Sequence, residues 1–250
     1  MAPTSTTLDR LRRAVRAHDD PAAAGLDDLV AGRRASVRIE VTGRAGVGRT
    51  ALVAALGPFA GAGVVETDAW DRPGARDPEL VGDVVVLALL DPPRTADRAA
   101  ATAAGDRLVP VLVRADTLAD PSRAAERVTA VLGVPCVPVT AVGAVTGLAA
   151  ARAAIAARVD AVRSRRAALL LARVHALARI PALRDPVEEF VASDDGVWLA
   201  ADAAVPDVAG DAVARARYWR AAVSTATDAA AARDALARQR AAVREWARRG

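Results

Sequence analysis

The chain has no lysine and no asparagine, one cysteine, one methionine, and aromatic residues at only 3% of its 250 positions. Each shortage excludes something. The lone Cys136 cannot close an internal disulfide, so the fold has to be held by a packed core, which a chain of this length is able to bury. Long apolar runs are also missing. The longest, Val84 to Leu90, is strand-sized and far short of the ~20 residues that a membrane-spanning helix needs. Met1 to Thr7 is polar and Leu8 to Asp20 is too charged for a secretory leader, which makes a soluble, cytoplasmic protein the expectation. His18 and His175 stand alone without metal-ligand spacing and read as surface or packing residues. Cys136 lies in an apolar segment and reads as a small buried hydrophobe.

Without lysine, all 34 basic residues are arginine, set against 30 acidic ones for a net charge of +4. The bias toward alanine, arginine, valine and aspartate resembles GC-rich, actinobacterial-like coding rather than a functional demand for arginine. A nucleic-acid surface gathers basic residues and interleaves aromatics. Here the arginines are spread along alternating-charge helices, so no nucleic-acid partner is expected.

Along the chain, Leu8, Leu11 and Val15 predict a helix over 7–18, which Asp19, Asp20 and Pro21 are expected to end. Leu26 to Ala31 reads as a short helical turn. Val37, Ile39 and Val41 alternate in a strand over 36–42, followed by a helix over 51–56. Strands over 64–67, 84–90, 108–113 and 136–139 then alternate with helices over 95–104 and 122–132. This β-α-β rhythm predicts an α/β fold, a mostly parallel sheet with helices on both faces, preceded by an N-terminal helix and followed by a C-terminal helical extension. After Gly147 the pattern is helical: 148–180, stopped by Pro181, a mixed segment over 187–204 around Asp194-Asp195-Gly196, and helices over 207–225 and 227–249. The corresponding divisions are an N-terminal helical segment (1–35), the sheet domain (36–160) and the C-terminal helices (161–250).

The strand over 36–42 runs into Gly43-Arg44-Ala45-Gly46-Val47-Gly48-Arg49-Thr50 and then a helix. This fits the phosphate-binding loop G-x-x-x-x-G-K-[ST] except at Arg49, which stands where lysine belongs. Glycines in such a loop let consecutive N–H groups turn toward phosphate oxygens, and the following helix adds its positive end. Thr50 would place a hydroxyl on Mg²⁺. Arg49 is a longer, planar fork, able to pair with phosphate bidentately but unlike the compact point charge that folds over such a loop, and it counts against efficient hydrolysis.

The order of motifs resembles the Ras-like P-loop GTPase superfamily, nearest its Era-like and bacterial dynamin-like branches, over roughly residues 36–160. Where that family carries Asp-x-x-Gly, this chain has Asp68-Ala69-Trp70-Asp71. Where it carries Asn-Lys-x-Asp, this chain has Val113-Arg114-Ala115-Asp116. Where it carries a strand ending in Ser-Ala, this chain has Thr140-Ala141. The resemblance implies GTP or GDP with Mg²⁺ as cofactors, Gly43 to Thr50 around the phosphates, Thr50 and Asp68 at the metal, and Asp116, Thr140 and Ala141 at the guanine. It also implies what is lacking. Arg49, Asp71 and Val113 depart from the motifs, and residues 57–63 are too few for the usual edge strand and first switch loop.

These features predict a GTP-binding-like module with eroded hydrolytic machinery, regulatory or assembly-related, whose protein partner is a related GTPase or a second copy. The alternative is a pseudo-GTPase, an interaction module that no longer binds nucleotide. Asp91, after the apolar strand, also fits an ATPase-type Mg²⁺ carboxylate, though that reading leaves Asp116 and Thr140-Ala141 without roles. The arginines of 148–180 read as the solvated face of a helical bundle with Ile155, Val159, Val162, Leu170, Val174 and Leu177 inward, rather than as a membrane surface. Trp198, Tyr218, Trp219 and Trp246 are candidates for a helical core or a partner surface.

Overall fold

The computed structural model describes residues 6–74, 76–143, 145–203, 219, 220, 223 and 229–247. It divides into two compact units, one of residues 36–162 and one that joins residues 1–35 to residues 163–250.

The first unit is an α/β layer structure. Its strands are β1 (Val37–Gly43), β2 (Ala62–Glu66), β3 (Val84–Leu89), β4 (Leu108–Val113) and β5 (Val137–Val139). They form one all-parallel sheet in the order β2-β1-β3-β4-β5. β3 and β4 are buried at every residue, which is why they read as unbroken apolar runs rather than alternating ones. Pro110 sits inside β4, where a missing N–H would normally break a ladder. β5 begins opposite Val111, so no strand pairs with Pro110 on that side.

The helices with N-termini in this unit are α3 (Arg49–Leu56), α4 (Thr95–Ala104), α5 (Pro121–Leu132) and α6 (Leu148–Leu177). One sheet face packs Ile39, Val41, Val86, Val111 and Val139 against Leu52 and Leu56 of α3 and Ala151, Ile155 and Val159 of α6. The other packs Val85, Leu87, Leu89 and Leu112 against Ala100 and Ala104 of α4 and Ala124 and Val128 of α5. Helices therefore cover both faces. α3 and β2 are joined by residues 57–61 alone, which leaves β2 as the edge of the sheet.

The second unit is helical: α1 (Thr6–His18), α2 (Asp20–Arg34), residues 163–177 of α6, α7 (Arg184–Ala192), α8 (Asp194–Ala203) and α9 (Ala229–Ala247). Its core contains Leu11, Val15, Leu26, Val30, Leu170, Val174, Leu177, Leu183, Val187 and Phe190. Burying each large side chain contributes about 1.5–3 kcal/mol. The arginine-rich part of α6 thus turns Leu170, Val174 and Leu177 inward.

Two local readings are corrected. Asp19-Asp20-Pro21 does not simply end a helix but starts another. The Asp19 carboxylate accepts from the Ala22 N–H at 3.1 Å with Pro21 in the first turn, so α2 runs for 15 residues rather than a short turn. The segment read as mixed around Asp194-Asp195-Gly196 is helical there: these residues open α8, with the Ser193 hydroxyl accepting from the Gly196 N–H at 3.3 Å. The helix expected over 207–225 and Tyr218 lie almost wholly outside the described residues. Trp219 carries the Arg238 guanidinium over its ring at 4.6 Å. Among the described residues no helix is long and apolar enough to cross a membrane.

Candidate functional site

In a parallel sheet all strands end on one edge, and the Gly43–Thr50 loop, Asp68, Asp71, Asp91, Asp116, Thr140 and Ala141 follow the ends of its strands there. β1 ends at Gly43, where a Cβ would lie 2.3 Å from the Ala88 carbonyl oxygen, so only glycine lets β1 pass β3 and turn into the loop. Gly48 ends the loop at φ 107° and caps α3 through its backbone, with no side-chain cap on the helix. Val47 turns its side chain down into the core. The strand-loop-helix path expected over Gly43 to Thr50 is therefore present.

The loop is anchored from beneath. Arg44 is buried, and its Nε donates to both oxygens of the buried Asp97 carboxylate at 3.1 Å. Asp97 also accepts from the Arg94 N–H at 2.8 Å, closing the first turn of α4. Arg44 is thus a structural strut rather than a cation offered to a ligand.

Arg49 does not lie over the loop. Its guanidinium donates to the Thr67 carbonyl and pairs with Glu66 Oε1 at 3.6 Å. Thr50 donates its hydroxyl to the same Glu66 oxygen at 3.1 Å. Asp68, the other expected metal ligand, is exposed and pairs with Arg72 at 3.1 Å. Thr50 and Asp68 are thus engaged with different partners. Among the described residues no cluster of three or more histidine, cysteine or acidic side chains is arranged to hold a metal ion.

Asp71 reaches back to the loop: its Oδ1 accepts from the Ala45 N–H at 2.7 Å. The segment bearing it is pinned to β1. The Trp70 backbone N–H donates to the Gly43 carbonyl at 3.3 Å, and the Trp70 indole N–H and the Thr67 hydroxyl reach the Thr42 hydroxyl at 2.8 and 2.9 Å.

On the other side, the β4 end meets the loop. Arg114 adopts a left-handed backbone at φ 55° and donates to the Gly46 carbonyl at 2.6 Å. Asp116 is exposed on a short 3-10 turn, Ala115–Thr117. Val113 is buried in the core, so its side chain points away from this edge. After β5, buried Thr140 exchanges backbone hydrogen bonds with Thr146 at 3.1 and 3.3 Å, and half-buried Ala141 follows it. Asp91 is paired with Arg127 of α5.

The chain matches no family model and no curated protein.

Sequence reasoning missed the Arg44–Asp97 pair, Glu66 and the Arg114 bridge. Asp97 stands 53 positions from Arg44, and no local pattern links the two. Glu66 is merely the last residue of a strand until α3 brings Thr50 and Arg49 to it.

Proposed function

We propose that this edge is a phosphate-binding site for a guanine nucleotide, of the Ras-like P-loop kind but without the parts for efficient hydrolysis. The protein would work in the cytoplasm by altering a protein partner's state rather than by turnover. The supporting observation is positional. The Gly43–Thr50 loop leaves β1 where the strand order reverses between β1 and β3, the crevice in which open parallel sheets take ligands.

Each part has a stated role. The N–H groups from Gly46 to Thr50 and the positive end of α3 would hold phosphates. Thr50 would offer its hydroxyl to Mg²⁺ after leaving Glu66, and Asp68 would support the metal through water. Asp116 and the backbone at Thr140 and Ala141 would face the base. Bound Mg²⁺ would supply charge neutralisation to the phosphates. Hydrolysis is expected to be slow or absent, because residues 57–61 (Gly-Pro-Phe-Ala-Gly) carry no hydroxyl for the metal.

A second reading, the pseudo-GTPase that binds only protein partners, is favoured by one feature. Ala45, Gly46 and Arg49 already have protein partners in Asp71, Arg114, and Glu66 with Thr67.

Titration of nucleotide-stripped protein with fluorescent GDP, GTP and ATP, with and without Mg²⁺, separates the two. The first reading expects guanine-selective binding that weakens in Asp116→Ala and loses its Mg²⁺ dependence in Thr50→Ala. Absence of binding at millimolar nucleotide would leave the pseudo-GTPase.

A further inference from the structure

We infer that Asp71 makes this site selective for a nucleoside diphosphate over a triphosphate, by holding the loop donor that a third phosphate would need. The inference rests on the nucleotide reading above and deepens it.

The strand order acts as a ruler. With the base at the ends of β4 and β5, beside Asp116 and Thr140, a nucleotide laid along the edge brings its first phosphates to the N-terminus of α3. Any further phosphate is carried toward β2, the last strand on that side. Asp71 approaches from the β2 side and takes the Ala45 N–H at 2.7 Å. A carboxylate and a phosphate oxygen compete for the same kind of donor, and both are anions.

Asp71 is not a loose side chain that a phosphate pushes aside at no cost. The Trp70 N–H on Gly43, the Trp70 indole on Thr42 and the Thr67 hydroxyl on Thr42 fix the segment against β1. Three cations of the loop and of the Asp71 segment are already paired within the protein. Arg49 is bonded to Thr67 and Glu66, Arg72 to Asp68, and Arg44 lies buried on Asp97. A third phosphate would meet an occupied donor and a like charge at contact range, whereas a diphosphate stops short of both. Built-in repulsion of this kind separates ligands that the attractive contacts alone would bind similarly.

The test is calorimetric binding of GDP and GTP, each with Mg²⁺, to the nucleotide-free full chain. Wild type is compared with Asp71→Ala and with the near-isosteric Asp71→Asn, and circular dichroism checks that each variant is folded. Wild type is expected to prefer GDP by about tenfold, the scale of one solvent-screened like-charge contact, since Asp71 is exposed. Asp71→Ala is expected to tighten GTP by about tenfold while GDP changes by less than about twofold, and Asp71→Asn to fall between them, since it keeps an acceptor but loses the charge. GTP bound as well as GDP by wild type, or an unchanged ratio in both variants, overturns the inference while the nucleotide reading stands. No binding of either nucleotide to any of the three proteins overturns both.

Discussion

Arg44 and Asp97 form a buried ion pair in which one Nε faces both carboxylate oxygens at 3.1 Å, the two side chains being 8% and 0% exposed. The pair joins the start of the loop to the first turn of α4. Removing one partner strands the other charge away from water, at a cost of about 3–5 kcal/mol. Arg44→Ala and Asp97→Ala are each expected to lower the unfolding free energy extrapolated from urea titration by that much. The double variant should lose much less than the sum, a coupling that a double-mutant cycle reads directly.

A second pair sits at the far end of β1. Glu40 is 1% exposed, its Oε1 pairs with Arg38 at 2.9 Å, and its Oε2 has no hydrogen-bond partner among the described residues. A Cβ at Gly82 would lie 2.8 Å from Glu40 Cγ and 3.0 Å from Cδ. Gly82→Ala is therefore expected to cost about 1–3 kcal/mol by overpacking. In a Glu40→Ala background the same substitution should cost less, because Cγ and Cδ are gone and only the Cβ contact at 3.1 Å remains. Equal costs in both backgrounds would show that the contact is not the cause.

In the helical unit, Asp27 of α2 accepts from Arg12 and Arg16 of α1. The Arg12 hydrogen bond, aided by the charges of Arg12 and Arg16, holds the Asp27 carboxyl below its ordinary value of 3.8, against a smaller opposing effect of burial. A depressed folded-state pKa stabilises above the unfolded value and loses that stabilisation as pH falls through the folded one. Stability of the α1–α2 pair is thus expected to decline below about pH 4. Asp27→Asn should cost about 1 kcal/mol at pH 7 and flatten the acid limb, as read from thermal melts between pH 2 and 7.

Burial pushes the Cys136 thiol up to about 12 from its ordinary 9.0, with the Asp91 charge adding to the effect against a backbone hydrogen bond from Leu112. The thiolate is the reactive form. Native protein at pH 8 is expected to react with a maleimide or disulfide reagent at least about tenfold more slowly than the same protein in denaturant. Because the folded value is the higher one, the sheet unit should also lose stability as pH rises from 9 toward 12, an effect absent in Cys136→Ala.

What local pattern encodes was legible in the sequence. β3 and β4 announce themselves because strands covered on both faces have no polar alternation to confuse them, and α4 matches its expected span, Thr95–Ala104. The Gly43–Thr50 loop was legible too, since glycine spacing reports backbone geometry directly. Asp19 reads as a break because an acidic residue suits both a turn and a helix start, and the decision belongs to the hydrogen bond its carboxylate makes in the first turn of α2.

The sequence by itself determined the order of strands and helices along the chain, a mostly parallel sheet, a connection after α3 too short for a further strand, and the loop that follows β1. These depend on residue period and on backbone freedom, which neighbours in the chain set. Only the tertiary structure decided that Arg44 is a strut on Asp97, that Arg49 turns to Glu66 and Thr67, and that Asp71 holds the Ala45 N–H. Those partners lie 17 to 53 positions apart. A charged side chain's role depends on which opposite group the packed layers bring within about 3 Å, a distance that no sequence spacing sets.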